Sequence, residues 1–172
     1  FIFLLATGEN MKNITLILFF AFTLNYLFAH CQVPCGIYDD AARIVTIYED
    51  IQTIRKSITK INELSDRETS AQSMNQLVRW VNTKEEHSQH IQDIILNYFL
   101  AQRIKPKENG ETEFENYVSL TTTCQKIIFH AMKSKQNTDL SQLDLLKRQV
   151  NTLADIYFDD HEKQHLKDLM NR

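Results

Sequence analysis

Residues 39–64 read DDAARIVTIYEDIQTIRKSITKINEL. Ile44, Ile47, Ile51, Ile54, Ile58 and Ile61 recur at steps of three and four, which places six isoleucines on one stripe of a helix running from about Asp39 to Leu64. A strand would need alternation, and the interval never falls to two. Downstream the same period continues. A second helix over about 69–104 carries Leu77, Val81, Ile91, Ile95 and Tyr98, with Lys84 and Ser88 interrupting its apolar face. The stretch Lys105-Pro106-Lys107-Glu108-Asn109-Gly110 breaks the chain. A third helix over about 112–136 aligns Phe114, Tyr117, Thr121, Cys124, Ile128 and Ala131. A fourth, over about 139–170, aligns Leu143, Leu146, Val150, Leu153 and Tyr157 behind an N-cap at Asp139. Short connections make such helices antiparallel neighbours, so the expected fold is all-α, an up-down four-helix bundle.

Composition narrows what the bundle can do. The 172 residues contain only 3 Gly and 2 Pro, too few for the turns of an all-β domain, and suffice for one well-buried domain. With a formal charge of −3 and no basic run, the chain lacks the electrostatic footprint of a nucleic-acid binder. Three cysteines are too few for a disulfide scaffold, and 43% hydrophobic content is too high for disorder.

Ahead of the first helix, Met11 opens MKNITLILFFAFTLNYLFA, in which one Lys precedes an apolar run and Ala29 supplies a small residue. That layout is a secretory signal peptide with its cut after Ala29. Residues 14–29 include Asn25 and fall short of the roughly 20 apolar residues that span a bilayer. The expected organisation is therefore a leader over 1–29, in which 1–10 precede the natural start at Met11, and a mature domain over 30–172. The mature protein is expected to be secreted, or to occupy another non-cytosolic compartment, without a membrane anchor.

Cleavage there makes His30 the first residue of His30-Cys31-Gln32-Val33-Pro34-Cys35-Gly36-Ile37-Tyr38. The new α-amine, with an ordinary pKa near 7.7–8.0, can shed its proton and bind a metal, which the peptide nitrogen it replaces does poorly. The amine of His30, the amide nitrogen of Cys31 and the Cys31 thiolate can form fused five-membered chelate rings, and Cys35 can close a planar set of two nitrogens and two sulfurs. Planar nitrogen-rich coordination suits Cu(II) or Ni(II), and thiolates argue against an oxygen-ligand metal such as Mg or Ca. Pro34 and Gly36 turn the chain so that Cys35 can return toward Cys31.

The pattern His30-Cys31-x-x-Pro34-Cys35-Gly36-x-Tyr38 resembles the nickel hook of nickel-dependent superoxide dismutase, and Asn75-Gln76-Leu77-Val78-Arg79-Trp80 and Asn97-Tyr98-Phe99 resemble helix segments of some members. The resemblance implies a four-helix bundle assembled as a homohexamer, with one nickel ion per subunit held by His30, Cys31 and Cys35. It implies that His30 gives amine and axial imidazole, that Cys31 gives amide nitrogen and thiolate, and that Cys35 gives the second thiolate. It further implies that Pro34 is cis and that Tyr38 guards the approach of superoxide, which is disproportionated to dioxygen and hydrogen peroxide through a Ni(II)/Ni(III) cycle. Two positions depart from the pattern. Gln32 stands where some members have Asp, and Val45 is the nearest match to a Glu that orients the imidazole in some members.

The competing function is a secreted helical interaction protein in which Cys31 and Cys35 merely close a small disulfide loop. Other residues have plainer readings. Cys124 on its apolar stripe reads as an inert buried thiol. His161-Glu162-Lys163-Gln164-His165 matches a zinc-peptidase pattern in spacing, but its polar surroundings and closeness to the chain end fit a solvated helix end. His87 and His90 read as exposed polar residues, with an outer-shell or subunit contact as the alternative. Lys84 and Ser88 imply a polar contact, either within the bundle or at an interface. A terminal hook with oxidisable thiolates also favours an oligomer that packs it against a neighbouring subunit.

Overall fold

The computed structural model describes residues 39–171, so the leader and the hook lie outside the described residues. Five helices follow in order: α1 (Asp40–Ser65), α2 (Ala71–Asp93, continued by a π-helical stretch Ile94–Arg103), α3 (Phe114–Gln136), α4 (Leu140–Tyr157) and α5 (Asp160–Met170). No strand occurs among the described residues. None of these helices is long and apolar enough to cross a membrane.

The first four helices form the expected up-down bundle. Each packs against its neighbours around a ring, α1 on α2, α2 on α3, α3 on α4, and α4 back on α1. Polar contacts record the antiparallel registers. Between α1 and α2, Asp40 meets Tyr98, Asp50 meets His87 and His90, and Lys56 lies over the ring of Trp80. Between α1 and α4, Tyr157 reaches Asp40, Asn151 reaches Tyr48, and Asp144 reaches Arg55.

The isoleucine stripe of α1 is the centre of the core. Ile44, Ile47, Ile51, Ile54 and Ile58 are fully enclosed, and Ile61 is nearly so. They meet Ile91, Ile95 and Phe99 from α2 and its π-helical continuation, Ile127 from α3, and Leu143, Leu146, Val150 and Leu153 from α4. A fully buried side chain of this size contributes roughly 1.5–3 kcal/mol by leaving water. The stripe therefore outweighs any single polar contact in the bundle. Asp39 caps α1 by accepting from the backbone N–H groups of Ala41 and Ala42. Asp139 caps α4 through Ser141, as its position before the apolar period predicts.

Three features depart from the sequence expectation. The fourth helix is not continuous to residue 170. Phe158, with an extended backbone and a buried ring, ends α4, and Asp159 starts α5 by a capping box with Glu162. The short α5 packs on α1, with Leu166 buried. On α3 the enclosed face runs through Leu120, Thr123, Cys124, Ile127, Ala131 and Ser134, while Phe114, Tyr117, Thr121 and Ile128 lie at its edge, half-buried. On α2, Val81 is exposed and Lys84 and Ser88 take the buried positions.

Lys84 shows why a cation can sit there. Its Nζ donates to the carbonyl oxygens of Ser134, at 2.9 Å, and Lys135, and pairs with Glu85. The charge thus closes the C-terminal end of α3, where unsatisfied carbonyls and the helix dipole favour a cation. Ser88 donates to the carbonyl of Lys84 one turn back. The polar interruption is a contact within the bundle.

Candidate metal centre

The described bundle offers no metal cage of its own. Among the described residues, no three or more His, Cys, Asp or Glu side chains are grouped to hold a metal ion. His161 and His165 are both exposed, and His165 Nε2 sits 2.5 Å from Asp39 Oδ2. The match to a zinc-peptidase spacing is therefore a solvated helix end that reaches back to cap residue Asp39. Burial opposes the charge on Asp39, but the hydrogen bonds from His165 and from the backbone of Ala42 and Ala41 outweigh it and hold the carboxyl below its usual value.

His87 and His90 are more than exposed polar residues. Their Nδ1 atoms lie 2.6 and 2.9 Å from the two oxygens of Asp50, a residue 4% exposed on α1. A carboxylate at a core position is costly unless paired, and the two imidazoles supply that pairing from across the α1–α2 seam. Nothing in the sequence joins residue 50 to residues 87 and 90, so this contact was not legible before the fold.

Cys124 is enclosed completely in α3, and burial pushes its thiol up to about 12. At that value the thiol form prevails at neutral pH. The chain has three cysteines. The other two, Cys31 and Cys35, lie with His30 and Tyr38 outside the described residues. What the structure does describe is the place where that segment joins the bundle. Asp39 follows Tyr38 directly, and beside it a cleft of about 410 Å³ is lined by Asp39, Asp40, Arg103, Phe158, His161 and His165, among others.

Around this entry point Asp40 is the hub. Its Oδ1 accepts from the Tyr98 hydroxyl and lies 2.9 Å from Arg103 Nη2, while its Oδ2 accepts from the Tyr157 hydroxyl at 2.5 Å. Arg103 also donates to the Tyr98 oxygen at 2.7 Å, and its guanidinium lies over the Tyr98 ring, 4.9 Å from the centroid. Residues five apart face different sides of an α-helix, and the wider i→i+5 winding of Ile94–Arg103 is what brings Tyr98 and Arg103 together. Burial, and then the Asp40 carboxylate, push both tyrosine hydroxyls above their ordinary value, so they remain donors. The hydrogen bond with Tyr98 raises Arg103 further still.

The described residues form a small all-α bundle whose one described cysteine, Cys124, is enclosed in the core. The family model of nickel-containing superoxide dismutase matches residues 26–161, and the chain belongs to that family. It is accordingly an oxidoreductase of superoxide that uses nickel. The matched residues take in the whole of 30–38 and stop two residues into α5. Searches of curated proteins and of solved structures returned no match.

Proposed function

We propose that residues 30–38 are the nickel site of this superoxide dismutase and that removal of residues 1–29 completes it. One observation carries the assignment: the family match runs through His30-Cys31-x-x-Pro34-Cys35-Gly36-x-Tyr38, while Cys124, the remaining thiol, is buried in the core and protonated. The donor set suits the metal. Thiolates and a deprotonated backbone nitrogen are strong anionic donors, and such nitrogen–sulfur sets suit nickel better than they suit a hard cation.

When bound, nickel supplies a Ni(II)/Ni(III) couple set between the two one-electron couples of superoxide. The net reaction takes two superoxide anions and two protons to dioxygen and hydrogen peroxide. The chain's own groups then have separate tasks. Freed from its peptide bond, the His30 amine becomes a neutral donor, and the His30 imidazole adds a second nitrogen. Cys31 gives its amide nitrogen and thiolate, and Cys35 gives a further thiolate. These anionic donors favour the more highly charged metal and so set its potential. Tyr38, next to Asp39, limits access to the sulfurs, which peroxide would otherwise oxidise.

The leader is a signal peptide that carries the protein out of the cytosol, and the mature chain is a homo-oligomer, a hexamer by family resemblance, with the hook covered by a neighbouring subunit. N-terminal sequencing of protein purified from its natural source tests the processing step. His30 should be the first residue. A chain that begins earlier or later has no terminal amine at His30 and would overturn the site as assigned, leaving a secreted helical protein with a Cys31–Cys35 loop as the reading.

A further inference from the structure

The cluster around Asp40 binds together three elements that the hydrophobic core already packs. Asp40 belongs to the first turn of α1, Tyr98 and Arg103 to the π-helical stretch, and Tyr157 to the last turn of α4. Charged clusters in partly buried positions are weak contributors to stability, because removing the charges from water offsets their attraction. Their side chains here are about one-fifth exposed, 19% for Asp40 and 21% for Arg103. The α1–α4 seam has other ties, moreover. Tyr48 donates to Asn151 at 2.7 Å, and Arg55 pairs with Asp144 at 2.5 Å. Tyr48 lies eight residues beyond Asp40, about 12 Å further along the helix at 1.5 Å per residue.

The cluster differs from those ties in direction. Tyr98 and Arg103 approach one carboxylate oxygen and Tyr157 the other, so the Asp40 side chain is held from two sides. Arg43, one turn on, lies over the same Tyr98 ring, 5.4 Å from its centroid. Helix ends fray where they are not fastened, and this helix end carries the segment that ends at Tyr38. Cys35 is five residues before Asp40. At no more than about 3.6 Å per residue, five residues of chain span at most about 18 Å from the Asp40 Cα.

We propose that Asp40, Arg103 and Tyr157 are positioning residues for the nickel site, which fix the first turn of α1 and thereby the point from which residues 30–38 reach the metal. The proposal rests on the assignment of nickel to those residues. The three are not among the proposed ligands; they act through the backbone of Asp39 and Asp40. Tyr157 contributes by one hydroxyl, so Tyr157→Phe removes a hydrogen bond while keeping the ring packed edge-on against Phe99.

The test uses the mature chain beginning at His30, loaded with nickel, and compares Tyr157→Phe and Asp40→Asn with Asn151→Ala. Asn151→Ala breaks another α1–α4 hydrogen bond, that with Tyr48, away from the chain entry. Nickel retention is measured by competition with a chelator, the thiolate-to-nickel absorption by optical spectroscopy, and helicity by circular dichroism. Loss of a group bonded directly to a metal ligand typically costs 10–100-fold in metal affinity; for Tyr157→Phe and Asp40→Asn, which act one step further out, the low end, about tenfold weaker nickel retention, is expected. Their thiolate-to-nickel absorption should shift, with helicity unchanged. Asn151→Ala should keep the nickel affinity and spectrum of the parent chain. Parent-like affinity and spectrum in Tyr157→Phe would overturn the proposal, and so would an equal loss in Asn151→Ala, which would mark a general stability effect. If Asp40→Asn fails to fold, Tyr157→Phe still decides. A parent chain that binds no nickel, or a Cys31→Ser chain that binds it normally, would instead refute the assignment of the hook.

Discussion

A chain that keeps even one residue in front of His30 should lose superoxide dismutation while its helices stay folded. The added peptide bond turns the α-amine, a donor with an ordinary pKa near 7.7–8.0, into an amide nitrogen of far lower basicity. It also moves the imidazole away from the chain end, so two of the proposed donors change at once. The loss should exceed the 10–100-fold typical of removing a mere outer-shell partner. The bundle should be indifferent to this change, because the core of the described residues runs from Ala41 onward and is centred on the isoleucines of α1. Circular dichroism and activity measured on the same extended preparation check both halves. Full activity in a chain that retains its leader would contradict the mechanism.

The cysteine variants should separate cleanly. Cys31→Ser and Cys35→Ser each replace a soft thiolate by a hydroxyl that remains protonated, and each should abolish specific nickel binding together with the thiolate-to-nickel absorption. Cys124→Ser should leave both intact. Its cost falls on the fold, since it places a hydroxyl in a fully enclosed apolar site, at roughly 1–3 kcal/mol by the mutational measure of burying an unpaired polar group. Nickel titration and thermal melting of the three variants therefore give opposite patterns. Normal turnover in either hook variant would sink the ligand assignment.

The fold was legible where the sequence repeats a period and obscure where a single residue decides. Six isoleucines at steps of three and four fix α1 without reference to any other segment, and the enclosed face of α4 follows in the same way. The break at Phe158 is hidden in the sequence because the strongly polar segment beyond it keeps a helical composition. Its signal is the Asp159-x-x-Glu162 capping box, which is hidden in the charged run Asp159-Asp160-His161-Glu162-Lys163. On α3 the leading aromatics Phe114 and Tyr117 suggest one phase, but the core takes Leu120 and Ile127, and the aromatics settle at the rim.

Of the proposed site, the candidate donors stand together in the sequence, whereas the contacts at the start of α1 do not. The hook is contiguous in sequence, so nine residues display its chemistry, and Cys124 was separable from it by its place on an apolar stripe. The Asp40 cluster is assembled from residues 40, 98, 103 and 157, and part of it depends on a π-helical winding that no composition or period announces. The same holds for Asp50, which looks like a surface acid until His87 and His90 close on it.

The most direct test of the central claim is the nickel content of the purified chain that begins at His30. One nickel per chain is expected, and none in the same chain truncated to begin at Asp39. A chain from His30 that is active without nickel, or a truncated chain that binds nickel as well as the longer one, would contradict the placement of the metal at residues 30–38.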